Sequence, residues 1–172
     1  IGRFQPFHNG HKAVIDAALK QAREVVVVVG SSFAARSIRN PFTFEERKAM
    51  IESVFPTDRV KVVPVSDYPY DDNKWISAIQ QIVDETVPHA KDVGLIGHSK
   101  DSTSYYLNIF PRWKNHVEVP DVGGINATDI RNFYLEHRGL TIELVNLLPK
   151  PVSGMLTTQM SQSDWFETID AE

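Results

Sequence analysis

Apolar residues along the chain fall into short β-branched runs, alternating with stretches in which they return every three or four positions. That is the mark of strands alternating with amphipathic helices. Ile1–Arg3 reads as the end of a strand; because the chain opens at Ile1, inside a motif, a few preceding residues are expected in the natural protein. Asn9–Ala22 follows as a helix with Val14, Ile15, Ala18 and Ala22 on one face. The consecutive valines Val25–Val29 suit a parallel strand buried on both faces. A polar, arginine-containing loop over 33–42 leads to Thr43, which with Glu46 predicts a capping box and a helix. Strand Val60–Val65, a loop rich in Tyr, Pro and Asp, and helix Asn73–Thr86 come next; the helix carries Trp75, Ile76, Ile79, Ile82 and Val83 on its apolar side. Further strands are predicted over Val93–Gly97 and Val117–Val119, and helices over Ser102–Phe110, Thr128–Glu136 and Ile142–Leu148.

This regular order predicts an α/β fold with a doubly wound parallel sheet, an α+β packing being the alternative. After Leu148-Pro149-Lys150-Pro151 the pattern changes. Ser153–Ser163 is polar with scattered Leu156 and Met160, and Ser163 is placed to cap a last helix from Asp164. The expected division is one domain over 1–150 and a small C-terminal helical appendage, or the start of a linker, over 151–172.

Composition narrows the class. Of 172 residues, 42% are hydrophobic, which is core-forming material, and Cys is absent, which removes disulfides, thiolate metal sites and a Cys nucleophile. The longest unbroken apolar run, Val25–Val29, is far too short to span a bilayer. No signal peptide opens the sequence, so a cytoplasmic protein with no membrane partner is expected. The formal net charge of −4 argues against a broadly basic nucleic-acid surface. All Lys and Arg residues lie at or before Lys150, while Asp164, Glu167, Asp170 and Glu172 lie in the tail. The acidic excess therefore belongs to the tail, and local placement of cations decides what the domain binds.

The chemistry concentrates in Gly2-Arg3-Phe4-Gln5-Pro6-Phe7-His8-Asn9-Gly10-His11, between the first strand and the first helix. Open α/β sheets bind ligands at the carboxyl ends of strands, where helix N-termini direct free N–H groups outward. His8 and His11, three apart, share a helix face there. Gly10 removes a side chain where a nucleotide needs close backbone approach, and Arg3 adds a permanent forked cation. A second segment, Ile125-Asn126-Ala127-Thr128-Asp129-Ile130-Arg131, reads as a capped helix start carrying an arginine. Neither a Gly-x-x-x-x-Gly-Lys-Ser/Thr loop nor a Gly-x-Gly-x-x-Gly turn is present, which argues against a P-loop ATPase and against NAD as a Rossmann-bound cofactor.

The His8-Asn9-Gly10-His11 run resembles the His-x-Gly-His signature of the nucleotidyltransferase superfamily. The longer run from Gly2 is similar to archaeal-type nicotinamide mononucleotide (NMN) adenylyltransferases, especially those fused to a Nudix hydrolase. Ile125–Arg131 resembles that family's Ile-Ser-x-Thr-x-x-Arg, with Asn126 in place of Ser. Ser37–Thr43 is similar to the loop whose arginine meets the mononucleotide phosphate, Asp72-Asn73-Lys74-Trp75 to the stretch holding the nicotinamide ring, and Gly97-His98-Ser99-Lys100-Asp101 to a stretch near the adenosine.

The resemblance covers residues 1 to about 150 and implies a Rossmann-like nucleotidyltransferase fold. It also implies site roles: His8, His11 and Arg131 catalytic; Gly2, Arg3, Phe4, Gly10, Gly97, Lys100, Asn126 and Thr128 toward ATP; Arg39, Asn73 and Trp75 toward NMN. For Trp75 two readings stand together, a core residue of its helix and a stacking face for a pyridinium. Among 71–73, the residue facing the nicotinamide is open.

The implied reaction is ATP plus NMN giving NAD and pyrophosphate. Mg²⁺ would be carried by ATP, since no carboxylate cage is apparent and no protein metal ligand is assigned. A homo-oligomer, and a Nudix hydrolase domain beyond Glu172, are also implied. The alternatives are another phosphorylated acceptor, such as nicotinate mononucleotide or phosphopantetheine, and a non-catalytic module that senses NMN or NAD.

Overall fold

A computed structural model describes residues 1–98, 109–121, 123–158 and 163–170. The chain runs α1 (Asn9–Gln21), β1 (Val25–Val29), α2 (Phe44–Glu52), β2 (Val60–Pro64), α3 (Asp72–Thr86), β3 (Leu95–His98) and β4 (His116–Val119). It continues through α4 (Ala127–His137), α5 (Ile142–Val145), α6 (Lys150–Thr158) and α7 (Ser163–Asp170). Most of the helix expected over 102–110 lies outside the described residues. All strand pairing is parallel among the described residues: β1 with β2, in register Val25 to Val60, and β3 with β4, in register Leu95 to His116. Gly2 adds a parallel bridge to Val29, so the expected strand end at Ile1–Arg3 lies beside β1.

The five valines of β1 face two cores, as a strand of period two must. Val27 and Val29 join one apolar cluster with Phe7, Met50, Ile51 and Ile130, while Val28 joins a second with Ile79, Val83 and Leu95. Thr43 and Glu46 form the expected reciprocal capping box at α2. Among the described residues, no helix is long and apolar enough to cross a membrane.

Two C-terminal expectations change. The helix expected over Ile142–Leu148 shortens to Ile142–Val145, because Pro149 disfavours a helical conformation at Leu148. The break expected at Leu148-Pro149-Lys150-Pro151 is instead the start of a helix, Lys150–Thr158, that runs on into the polar stretch. Pro151 sits in its first turn, where the missing N–H costs nothing. Val152 and Leu156 of α6, with Trp165, Phe166 and Ile169 of α7, are buried in the first apolar cluster together with Val27 and Phe42.

Candidate active site

The start of α1 is capped by two imidazoles. His8 is the N-cap, and its Nδ1 accepts from the backbone N–H of Gly10 (3.0 Å) and of His11 (3.4 Å). In return, His11 Nδ1 accepts from the backbone N–H of His8 at 3.2 Å. This is a capping box built from histidines. An Nδ1 that accepts carries no proton, so each neutral ring holds its proton on Nε2. The rings stack with centroids 3.6 Å apart. Phe4 and Phe7 wall the pair, at 4.7 Å and 5.9 Å from His11, and both phenylalanines are buried.

Gly10 is required by this geometry. A Cβ there would lie 2.8 Å from His8 Cε1 and 3.0 Å from its Nδ1. The space left by the missing side chain is therefore used by the His8 ring. Gly2 has a similar constraint, since a Cβ would meet the Phe4 ring at 3.1 Å.

Asn126 caps α4, its Oδ1 accepting from the Thr128 N–H at 2.8 Å. The helix then places Arg131 inward, 7% exposed, donating through Nη1 to the Gln5 carbonyl (2.8 Å) and through Nη2 to Thr128 Oγ1 (3.1 Å). Burial first, and then the neighbouring Arg3 and Arg39, push the Arg131 guanidinium down to about 10, still fully charged at neutral pH. Arg3 donates through Nη2 to the Arg39 carbonyl and to Asn40 Oδ1, while its buried Nε finds no hydrogen-bond partner among the described residues. Burial and Arg39 lower the affinity of Arg3 for its proton, and Asp67 opposes this. Arg3, Arg39 and Arg131 thus share one electrostatic neighbourhood, although they lie far apart in sequence. Mutual repulsion of this kind is relieved by a polyanion.

Two buried side chains that the sequence reading passed over hold this arrangement. Arg47, 1% exposed, donates to the carbonyls of Arg3 (2.7 Å), Gly30 (2.7 Å), Ser31 (3.3 Å) and Thr43 (3.1 Å). Burial, followed by Arg3, lowers it to about 10. Its signal was present: it falls on the face of α2 that carries Met50 and Ile51, both wholly buried, where a cation needs a structural reason. Gln5, also wholly buried, pairs with the Phe42 backbone in both directions, at 2.9 Å each. No periodicity marks it.

Gly97 is buried in β3, opposite Glu118 of β4. Its neighbour His98 bridges to the Val119 carbonyl (2.9 Å) and the Gly10 carbonyl (3.2 Å), tying this strand end to α1. Lys100 lies outside the described residues. Asn73 is exposed in the first turn of α3, and Asp71 is committed as that helix's N-cap, accepting from the Lys74 N–H at 3.0 Å. Trp75 is half-buried against the second apolar cluster, 5.8 Å from Phe110.

A separate cavity of about 350 Å³ is lined by Val25, Val26, Ile79, Val83, Leu95 and Trp113 among others. Its lining takes in residues at the amino ends of β1 and β3 and no Lys or Arg side chain. The arginines stand at the opposite, carboxyl end, where such sheets bind ligands.

Residues 1–132 match the Cytidylyltransferase-like family. The nicotinamide/nicotinic acid mononucleotide adenylyltransferase of Acinetobacter baylyi is 43% identical over 140 residues, covering 79% of this chain and 73% of that protein. The nicotinamide-nucleotide adenylyltransferase of Sulfurisphaera tokodaii is 32% identical over 160 residues, covering 90% and 87%. Among solved structures, a bifunctional NMN adenylyltransferase/ADP ribose pyrophosphatase from Francisella tularensis, complexed with AMP and a Mn ion, superposes with a TM-score of 0.81 at 30% identity. That match covers 98% of this chain, which spans 50% of the Francisella chain. Sequence match, shared fold and the paired histidine and arginine signatures agree: this chain belongs to the cytidylyltransferase-like family of nucleotidyltransferases.

Proposed function

We propose that this chain is a cytoplasmic adenylyltransferase that joins the AMP moiety of ATP to nicotinamide mononucleotide, giving NAD and pyrophosphate. The observation that carries the proposal is that Arg3, bonded to the Arg39 carbonyl, and Arg131, bonded to the Gln5 carbonyl, converge on the segment that leads into the imidazole-capped start of α1. The mononucleotide phosphate is already an anion at neutral pH. Its oxygen forms a bond to the α-phosphorus, while the bond from that phosphorus to the bridging oxygen breaks. Pyrophosphate leaves with the electron pair, and no side chain has to take a proton. Catalysis then rests on alignment and on stabilising the leaving charge.

In this reading His8 and His11 offer Nε2–H donors to the triphosphate, assisted by the α1 dipole. Arg131 and the Asn126–Thr128 turn hold the outer phosphates, with Arg3 beside them. Gly2, Phe4 and Gly10 shape that wall, and Gly97 and Lys100 are assigned to the adenosine. Arg39 receives the mononucleotide phosphate, and Asn73 and Trp75 lie toward its pyridine ring.

Among the described residues, no group of three or more His, Asp or Glu side chains is placed to hold a metal ion. The divalent ion, Mg²⁺ in this reading, is carried by the ATP phosphates, and no step above depends on a protein-bound one. The same reading carries a homo-oligomer and a fused Nudix hydrolase domain as expectations for the natural protein.

The deciding experiment mixes the chain with ATP, NMN and Mg²⁺ and measures NAD and pyrophosphate. Stoichiometric appearance of both supports the proposal; binding of NMN without product favours a sensing module. Nicotinate mononucleotide and phosphopantetheine in the same assay identify the acceptor class.

A further inference from the structure

We propose that α7 is a strap that positions the acceptor-side loop, with Trp165 as the positioning residue. The proposal rests on the reading that Arg39 receives the mononucleotide phosphate. Trp165 stacks on Phe42 with ring centroids 5.3 Å apart, meets Tyr134 of α4 edge-on at 5.7 Å, and lies 5.4 Å beneath the Arg36 guanidinium. Arg36 is itself fixed, donating to the Pro41 carbonyl at 2.6 Å and to Glu46 Oε1 at 2.7 Å. The residues three before and three after Arg39 are therefore both held by one indole ring.

Between them the chain makes a tight turn. Ser37 N–H donates to the Asn40 carbonyl, and Asn40 N–H donates to Ser37 Oγ, each at 3.1 Å. The Arg39 carbonyl and the Asn40 side chain accept from Arg3. The turn sets Arg39 beside Arg3, and both lower the affinity of Arg131 for its proton. The loop's backbone is held by Arg3 and, at Phe42, by Gln5; its side chains Arg36 and Phe42 need a tether of their own. Trp165 supplies the tether from the far end of the chain, through stacking and a cation–π contact. Among the described residues its buried Nε1 has no hydrogen-bond partner, so its ring, and not its N–H, is what the site uses.

The test uses the whole chain and three variants: Trp165→Leu, Arg36→Met and the double substitution. Amide hydrogen exchange over 33–42 should accelerate in each variant well beyond any change in β1. KM for the mononucleotide should rise about three- to thirty-fold, the range such a contact supports, with kcat and KM for ATP within about twofold. The double variant should fall short of the product of the two single effects, because the Arg36–Trp165 contact is common to both. Uniform acceleration of exchange across the core, or equal shifts in both KM values, would show Trp165 to be core packing alone and overturn the proposal. Arg36→Met keeps the test open if Trp165→Leu does not fold, since Arg36 is only half-buried. Absence of NAD from the unsubstituted protein would refute the reaction, while the exchange measurement would still decide the strap.

Discussion

Replacing Arg131 by Met separates what this residue does for the fold from what it does for the reaction. The substitution keeps a long apolar stem in a nearly closed site and removes the charge. Two terms oppose each other in the free protein. The lowering of the guanidinium to about 10 measures how strongly burial and the neighbouring arginines disfavour its charge. At 1.36 kcal/mol per pH unit, that penalty is ~3 kcal/mol and would be relieved. Against it, the Gln5 carbonyl loses its 2.8 Å donor in a buried place, costing ~1–3 kcal/mol. Thr128 is exposed and turns to water at little cost. The two nearly cancel, leaving a net gain of about 1 kcal/mol, or about 3 °C in Tm for a chain of this size. Turnover should behave quite differently. Loss of one preorganised charge donor lowers kcat by roughly 10²–10³. The assay pairs a thermal melt with initial rates at saturating ATP and NMN. A Tm unchanged within those few degrees beside a hundredfold loss of kcat is the expected result. A kcat within threefold of the parent would refute the role, and a Tm loss above about 10 °C would refute the energetic reasoning.

Three more outcomes follow from named contacts. Arg47→Met removes the donor from the Arg3, Gly30 and Ser31 carbonyls at ~1–3 kcal/mol each, offset by ~3 kcal/mol of relieved charge burial as for Arg131. Chemical denaturation should therefore show a net stability loss of about 3 kcal/mol; a variant more stable than the parent would contradict the pinning role. Gly10→Ala drives a methyl into the His8 ring and should cost about 0.5–2 kcal/mol, as for a lost cap, together with activity; equal activity would mean that the imidazole cap is dispensable. Trp75→Ala should raise KM for NMN and leave that for ATP nearly alone, and if both constants stay put, Trp75 belongs to the core.

How much of this was legible depended on whether a feature is local. The order of strands and helices, the Thr43–Glu46 box and the Asn126 cap are settled by neighbouring residues, and they were readable from spacing and side-chain type. The His8 and His11 pair could be placed on one helix face, but their reciprocal capping could not be seen, because histidine is not a customary N-cap. Gln5 escaped because its partners are a backbone carbonyl and amide, which every residue carries and which leave no trace in sequence. Arg47 betrays only its burial, by sharing a helix face with Met50 and Ile51, and not the carbonyls it holds. The helix beginning at Lys150 was hidden by two prolines that read as breaks; one is harmless in a first turn. Trp165 looked like part of an acidic tail, and only the folded chain shows its indole between Phe42, Tyr134 and Arg36.

The double pairing of Gln5 with the Phe42 backbone has an evolutionary consequence. A side-chain amide that reads only main-chain groups is indifferent to which residue stands opposite it, and Arg47 grips Gly30 and Ser31 in the same impersonal way. The segment between those two clamps is thus mounted like an interchangeable part. Its sequence is free to drift, lengthen or be transplanted from a relative while its ends stay fixed beside the catalytic groups. A scaffold fastened this way can change the molecule it accepts without rebuilding the place where the bond is made.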